Sequence, residues 1–168
     1  MGFTGNIELL ERSHNRKRFD CGVEALNNYL QKQAMQHAKS GVSRTFVLSD
    51  DKENIQAYYS LSMGSLDKSL LPTKLQKKFP HHPLPIVRLG RLAVDNDSKG
   101  KGYGKRLLAH ALHKCYLLSE EIGLIAVVID AKDQQAKAFY TQFEFECLPD
   151  NDLMLWLPIG ALRGLFVK

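Results

Sequence analysis

The sequence predicts an α/β fold in which a mixed, mostly antiparallel central sheet carries helices on both faces. Three observations predict it. Residues 43–63 read as two adjacent strands joined by a tight turn, an antiparallel hairpin. Residues 86–131 read as strand, glycine loop, helix, strand, which is a right-handed parallel crossover. The apolar positions of residues 23–38 and 133–143 recur at helical spacing.

Taken in chain order, "VEALNNYLQKQAMQHA" (23–38) repeats apolar residues at Leu26, Leu30 and Ala34, with Tyr29 beside them, and predicts one helix. "SRTFVLSD" (43–50) is a short strand that ends in a charged Asp-Asp-Lys turn. "IQAYYSLSM" (55–63) alternates, placing Ile55, Ala57, Tyr59, Leu61 and Met63 on one face. Four prolines (Pro72, Pro80, Pro83, Pro85) surround "LQKKF" and predict a short helix followed by a stiffened loop. "IVRLGRLAVD" (86–95) is a nearly continuous apolar strand broken by Arg88, Gly90 and Arg91, and a glycine there marks a bulge or a close backbone approach. A glycine loop follows, then a helix with Leu107, Leu108, Ala111, Leu112 and Cys115 on one side. "GLIAVVIDA" (123–131) suits a central buried strand. "DQQAKAFYTQF" (133–143) gathers Ala136, Phe139, Tyr140 and Phe143 on one helix face, and "LMLWLPI" (153–159) supplies the last strand.

No repeat, low-complexity tract or linker interrupts the 168 residues, so residues 1–168 read as one domain with a substantial core. With 44% hydrophobic and 24% charged residues, the composition is that of a soluble globular protein. No run of eighteen apolar residues suggests a membrane span, and the N-terminal stretch has no signal-peptide core. Met1–Asn6 lacks the hydroxyl residue that an N-myristoylation signal wants at its sixth position, so the cytoplasm is the expected compartment. Cys21, Cys115 and Cys147 are too few and too scattered for a disulfide framework or a zinc site, and read as buried reduced thiols. The histidines show no ligand spacing either, so no metal is expected. The net charge of +5 is modest but clustered, at 15–18, at 74–78 and in the glycine loop, which suits a polyanionic partner.

The loop "DSKGKGYGKRLL" (97–108) excludes two familiar chemistries. A phosphate-loop nucleotide site fails, because Lys99 stands where its first glycine belongs and Arg106 where a magnesium-binding hydroxyl belongs. A dinucleotide fingerprint fails because Lys105 replaces its third glycine. What remains is an anion cradle: glycines that bend the backbone close to a ligand, helix-start amides, and the cations Lys99, Lys101, Lys105 and Arg106.

Lys99-Gly100-Lys101-Gly102-Tyr103-Gly104 resembles the acetyl-CoA signature Gln/Arg-x-x-Gly-x-Gly/Ala of the Gcn5-related N-acetyltransferases, with lysine at the first position. "RLAVD" before it and "AKAFYTQFEF" after it look like the same family, the latter matching A-x-x-F-Y-x-x-x-G-F except that Glu144 replaces the glycine and is expected to alter the turn. Together with "FDCGVEALNNYL", "SRTFVLSD", "AYYSLSMGSL" and "LMLWLPI", nearly the whole chain resembles the acetyltransferase toxins of type II toxin–antitoxin pairs. The resemblance implies the acetyltransferase fold and acetyl-CoA as co-substrate. It implies transfer of acetyl to the α-amino group of aminoacyl-tRNA, with inhibition of translation. A ribbon-helix-helix antitoxin is the implied partner, with DNA reached only through that complex, and a homodimer follows from family habit.

Residue by residue, the resemblance gives the amides from Lys101 to Arg106 (Lys101, Gly102, Tyr103, Gly104, Lys105, Arg106) to the pyrophosphate, with Gly100 in the bend. Lys99 and the other loop cations are expected near the adenosine phosphate. The backbone of Leu92, Ala93 and Val94 is expected to pair with the pantetheine arm as an added strand, with an N–H near Val94 on the thioester carbonyl. Ala136 and Phe139 are expected to face the cofactor, and Tyr140 is the expected acid that protonates the departing thiolate. Arg91, Lys77 and Lys78, and Lys32 or Lys39 on the first long helix, are candidate phosphate contacts for tRNA. An aminoacyl ester's amine is acidic enough to need no dedicated base. Asp95 and Asp130, which end strands, are expected to brace turns. Two other readings stay open: an acceptor that is a small amine or a protein N-terminus, and a co-repressor role in a complex with a DNA-binding antitoxin.

Overall fold

The computed structural model describes residues 6–167, so Met1–Gly5 of the stretch compared with a myristoylation signal lie outside the described residues. Among these residues the strands form one seven-stranded mixed sheet. Its order is β1 (Ile7–Leu9), β2 (Arg44–Ser49), β3 (Ile55–Leu66), β4 (Leu84–Val94), β5 (Ala126–Asp130), β7 (Asn151–Pro158) and β6 (Glu146–Leu148). The pairs β1·β2, β2·β3, β5·β7 and β6·β7 are antiparallel, and β4·β5 is parallel. The predicted hairpin and crossover are therefore both present. The described residues pack as two compact units, one comprising those up to Ser62 with Gly90–Ala111, the other Met63–Leu89 with those from Leu112 onward.

In the first unit the hairpin turns at residues 50–54. The Asp50 carboxylate accepts the Lys52 and Asn54 amides (both 2.9 Å), and Glu53 takes a left-handed φ of 64° to close the turn. The helix expected over 23–38 is three segments: α1 (Glu24–Asn28), a π-helical turn over Tyr29–Gln33, and α2 (Ala34–Ser40), ended by Gly41 at φ 80°. A wide turn disturbs the 3.6 period only locally, so the apolar spacing survives and periodicity misses it. Tyr29 and Leu30, adjacent in that turn, are both buried, in a core with Leu10, Phe19, Val47, Tyr58 and Ala93. Burying each large side chain there contributes roughly 1.5–3 kcal/mol. The Tyr58 hydroxyl donates to the Leu26 carbonyl (2.7 Å), which satisfies the one polar group on that ring. Gly90 fulfils the close-approach expectation: a Cβ there would lie 3.2 Å from the Ser60 Oγ.

In the second unit β5 is buried along nearly all its length between β4 and β7, as its apolar run requires. Leu66, Leu71, Leu84, Ile86, Val128 and Trp156 form the core there, and Leu75 of α3 (Thr73–Gln76) and Phe79 pack against it. α4 (Tyr103–Ser119) links β4 to β5, and α5 (Gln134–Thr141) leads to β6. Met63 is 53% exposed, beyond the stretch Ala57–Ser60 where β3 is buried on both faces. One expectation needs correction. Cys147 is exposed on the outermost strand, although Cys21 and Cys115 are buried as expected. Burial alone pushes the Cys115 thiol up to about 12. β1, β6 and a C-terminal helix, α6 (Ile159–Phe166), were not anticipated. No described helix is long and apolar enough to cross a membrane.

Candidate active site

The end of β4 and the start of α4 are joined by a loop whose two halves differ in character. The first half is fastened. Asp95 caps a short 3-10 turn, Asn96–Ser98, by accepting the Asp97 amide on Oδ2 (3.0 Å), and Ser98 is buried. The second half is open. Gly100 and Gly102 hold φ of 82° and 79°, and a Cβ at either would meet no atom within 4 Å. Their conformation therefore serves the path of the backbone and leaves free space in front of it.

The bend turns the chain into α4 so that its N-terminal amides point out of the helix. The ladder at this end begins with the Arg106 N–H on the Gly102 carbonyl (3.2 Å), and the amides before it carry no partner inside the helix. The positive helix end and these donors are suited to a phosphate group. Lys101, Lys105 and Arg106 are exposed around them, whereas the Tyr103 side chain is buried and contributes its main chain. The Arg106 guanidinium lies 5.9 Å from the Tyr103 ring. The cradle fits the pyrophosphate of a coenzyme such as acetyl-CoA: it presents donors, positive charge and room.

Immediately before the loop, Ala93 is buried while Leu92 and Val94 are half-buried on β4. Arg91 lies with its guanidinium 3.6 Å above the Tyr29 ring. The Tyr29 hydroxyl is held in turn by Ser43 (2.6 Å) and Thr45 (3.4 Å), which fixes the ring beneath the cation. Lys32, exposed, belongs to the π-helical turn that Tyr29 opens, and Lys39 is exposed on α2. Arg91 and Lys32 thus belong to one compact unit. Lys77 and Lys78, exposed after α3, belong to the other.

Tyr140 is carried by α5 in the second unit. Asp133 caps that helix by accepting the Ala136 amide (2.8 Å), and Lys137 pairs with Asp152, whose carboxylate also accepts from Gln134 (2.7 Å). Ala136 and Phe139 are half-buried on the same helix. Tyr140 is 7% exposed, its ring edge-on to Phe139 (5.2 Å) and Phe145 (5.9 Å). Burial alone pushes its phenol up to about 12, so it stays a proton donor throughout the neutral range. Glu144 takes φ 71°, so the left-handed turn that a glycine would supply is kept despite the substitution, correcting the expectation of an altered turn.

The two strand-end carboxylates are committed elsewhere. Asp95 accepts the Asp20 and Asp97 amides, and Asp130 is ion-paired with Arg88. Sequence reasoning missed Asp20 and Cys21, which meet the loop from a segment about 75 residues earlier in the chain, and Asn27, which holds both of them. An Asp-x-Gly turn before a helix is a visible signal of local structure, but its distant partner is not.

Comparison with known proteins agrees with this geometry. Residues 41–147 match the family model described as an acetyltransferase (GNAT) domain. The chain is 35% identical over 147 residues to the tRNA-acetylating toxin of Mycobacterium tuberculosis, covering 88% of this chain and 87% of that one. A crystal structure of a tyrosine-to-phenylalanine mutant of KacT matches with a TM-score of 0.90 at 32% identity, over 96% of this chain and 98% of that one. AtaT complexed with acetyl-methionyl-tRNAfMet matches with a TM-score of 0.89 at 31% identity, over 96% and 99%.

Proposed function

This chain belongs to the GNAT acetyltransferase family, and from that premise we propose that it is an acetyl-CoA-dependent toxin that acetylates the α-amino group of aminoacyl-tRNA and so blocks translation. The observation that carries the chemistry is the glycine-bent, outward-facing start of α4 directly after β4. Acceptor identity is supported by the near full-length likeness to a tRNA-acetylating toxin and to AtaT with its acetylated tRNA.

Acetyl-CoA supplies an activated acetyl group as a thioester. In this reading the amides from Lys101 to Arg106 bind its pyrophosphate, and the backbone of Leu92, Ala93 and Val94 pairs with the pantetheine arm. A main-chain N–H near Val94 polarises the thioester carbonyl, and loss of one such donor costs roughly 3–4 kcal/mol in enzymes that use them. Tyr140 gives its proton to the departing thiolate, with Ala136 and Phe139 beside it. The incoming amine needs no dedicated base, which agrees with Asp95 and Asp130 being held by other partners. Arg91, its face against Tyr29, keeps N–H groups at its edge for a tRNA phosphate, with Lys32, Lys77 and Lys78 as further contacts. We read the toxin as a cytoplasmic homodimer, neutralised by a ribbon-helix-helix antitoxin through which alone it reaches DNA.

Incubation with labelled acetyl-CoA and a set of charged tRNAs tests the proposal. Label is expected on the α-amino group of aminoacyl-tRNA and not on the uncharged tRNA. Transfer confined to small amines or peptide N-termini would reassign the acceptor, and absence of any transfer would remove the activity.

A further inference from the structure

We infer that Lys99, which opens the glycine motif, is a positioning residue that fastens the cofactor loop to the segment before α1, and that it is not a phosphate ligand. The inference rests on the acetyl-transfer reading for what the loop binds, but the fastening itself is a property of the free protein.

The Lys99 ammonium donates to the Cys21 carbonyl (3.0 Å). It is one strand of a two-sided clasp. From the loop, the Asn96 amide donates to the Asp20 carbonyl (2.8 Å), and Asp95 Oδ1 accepts the Asp20 amide (2.9 Å). From the other side, Asp20 Oδ1 accepts from the Gly22 amide and from Asn27 Nδ2 (both 2.9 Å), and Asn27 Oδ1 accepts the Cys21 amide (2.9 Å). Asn27 belongs to α1, so the clasp runs from the loop into the helix that leads to Tyr29 and Arg91's platform.

Two details place Gly22, Asn96 and Lys99 side by side in the clasp. Gly22 holds φ 87°, and a Cβ there would stand 3.5 Å from Asn96 Oδ1 and 4.0 Å from Lys99 Nζ. The Asp20 carboxyl is held below the usual carboxylate range, first by the Gly22 amide, then by Asn27, with the Lys99 charge adding to both. The Cys21 carbonyl thus takes the ammonium directly, and the Asp20 carboxylate adds only a weaker electrostatic attraction. Lys99 is exposed, as Lys101 and Lys105 are, and what sets it apart is the Cys21 carbonyl that its ammonium meets. Residues 95–99 are pinned so that only the part from Gly100 onward is open, and an amide cradle fixed before the ligand arrives loses less entropy on binding.

Lys99→Met keeps the aliphatic stem and removes the donor, and Lys99→Arg restores one. In the ligand-free protein, amide exchange at Cys21, Gly22 and Asn96 is expected to quicken in Lys99→Met and to recover in Lys99→Arg. The Kd for acetyl-CoA and for acetyl-3′-dephospho-CoA is expected to rise by the same factor, about tenfold. The salt dependence of binding should be unchanged, and kcat at saturating acetyl-CoA should fall less than twofold. A larger loss for the ligand that carries the 3′-phosphate, or a shallower salt dependence, would make Lys99 a phosphate ligand and overturn the inference. Unchanged exchange would overturn it as well. Absence of coenzyme binding in the unaltered protein is a failure of the acetyl-transfer reading, and the exchange measurements then still decide whether Lys99 fastens the loop.

Discussion

Tyr140→Phe removes a single hydroxyl and leaves the ring packed between Phe139 and Phe145. The stability change is expected to stay within about 0.5 kcal/mol, because volume and apolar contacts are kept. The kinetic change is expected to be much larger. A positioned general acid is worth about a hundredfold to ten-thousandfold, or roughly 3–5 kcal/mol of barrier. Steady-state acetylation of charged tRNA should therefore lose at least a hundredfold in kcat, while the acetyl-CoA Kd measured by calorimetry should stay within about twofold. The pH profile sharpens the test. Because burial raises the phenol to about 12, it remains protonated in the folded protein, and no falling limb is expected between pH 6 and 9. The rising limb there belongs to the amine, which must lose its proton to attack. The same shift has a stability consequence of definite sign. The unfolded phenol ionises near pH 10 and the folded one does not, so stability falls as pH rises above about 10 and is unaffected below it. Equal turnover in Tyr140→Phe, or a falling limb near neutrality that the variant abolishes, would refute the assignment.

Three further substitutions follow from the backbone. Gly102→Ala strains a φ of 79° by about 1–2 kcal/mol without meeting any protein atom, so the fold should survive with Tm lowered by a few degrees while acetyl-CoA affinity, measured by calorimetry, falls at least tenfold. Glu144→Gly relieves a left-handed non-glycine residue; after glycine's own entropy cost, the net gain is about 0.5–1 kcal/mol, visible as a raised midpoint in urea. Asp133→Ala removes the cap on the Ala136 amide and should cost about 1 kcal/mol by the same assay, with Asp133→Asn recovering most of it.

The strands and their pairing were legible because their signals are local. The alternation in 55–63 and the tight turn at 50–54 each prescribe one geometry over a few residues, and the connection between 95 and 126 is long enough to hold a helix, so the hairpin and crossover follow. Short edge strands escaped notice for the opposite reason. Three residues at 7–9 or 146–148 carry no period, and their pairing is decided by the partner they lie against. Met63 shows the limit of such a signal: alternation says which side a residue takes, while only the extent of the neighbouring layer says whether that side is covered.

The same division runs through the candidate site. Gly100 and Gly102 were legible as a bend, since glycine spacing encodes positive φ directly. The role of Lys99 was not, because it depends on a carbonyl 78 residues earlier in the chain. A charge count treats the loop's four cations as equivalent, yet the folded chain gives the Lys99 ammonium the Cys21 carbonyl as a partner, although Lys99 is exposed like Lys101 and Lys105. Arg91 makes the same point: as a residue in a strand it is one more cation, but above Tyr29 its face is occupied and its edge defines a direction. Residue type states what chemistry is available, and long-range contacts decide where it is delivered. Substituting the cations singly should therefore separate them by kind of effect: changed loop order at Lys99, changed salt dependence at Lys101 and Lys105, and changed acceptor binding at Arg91.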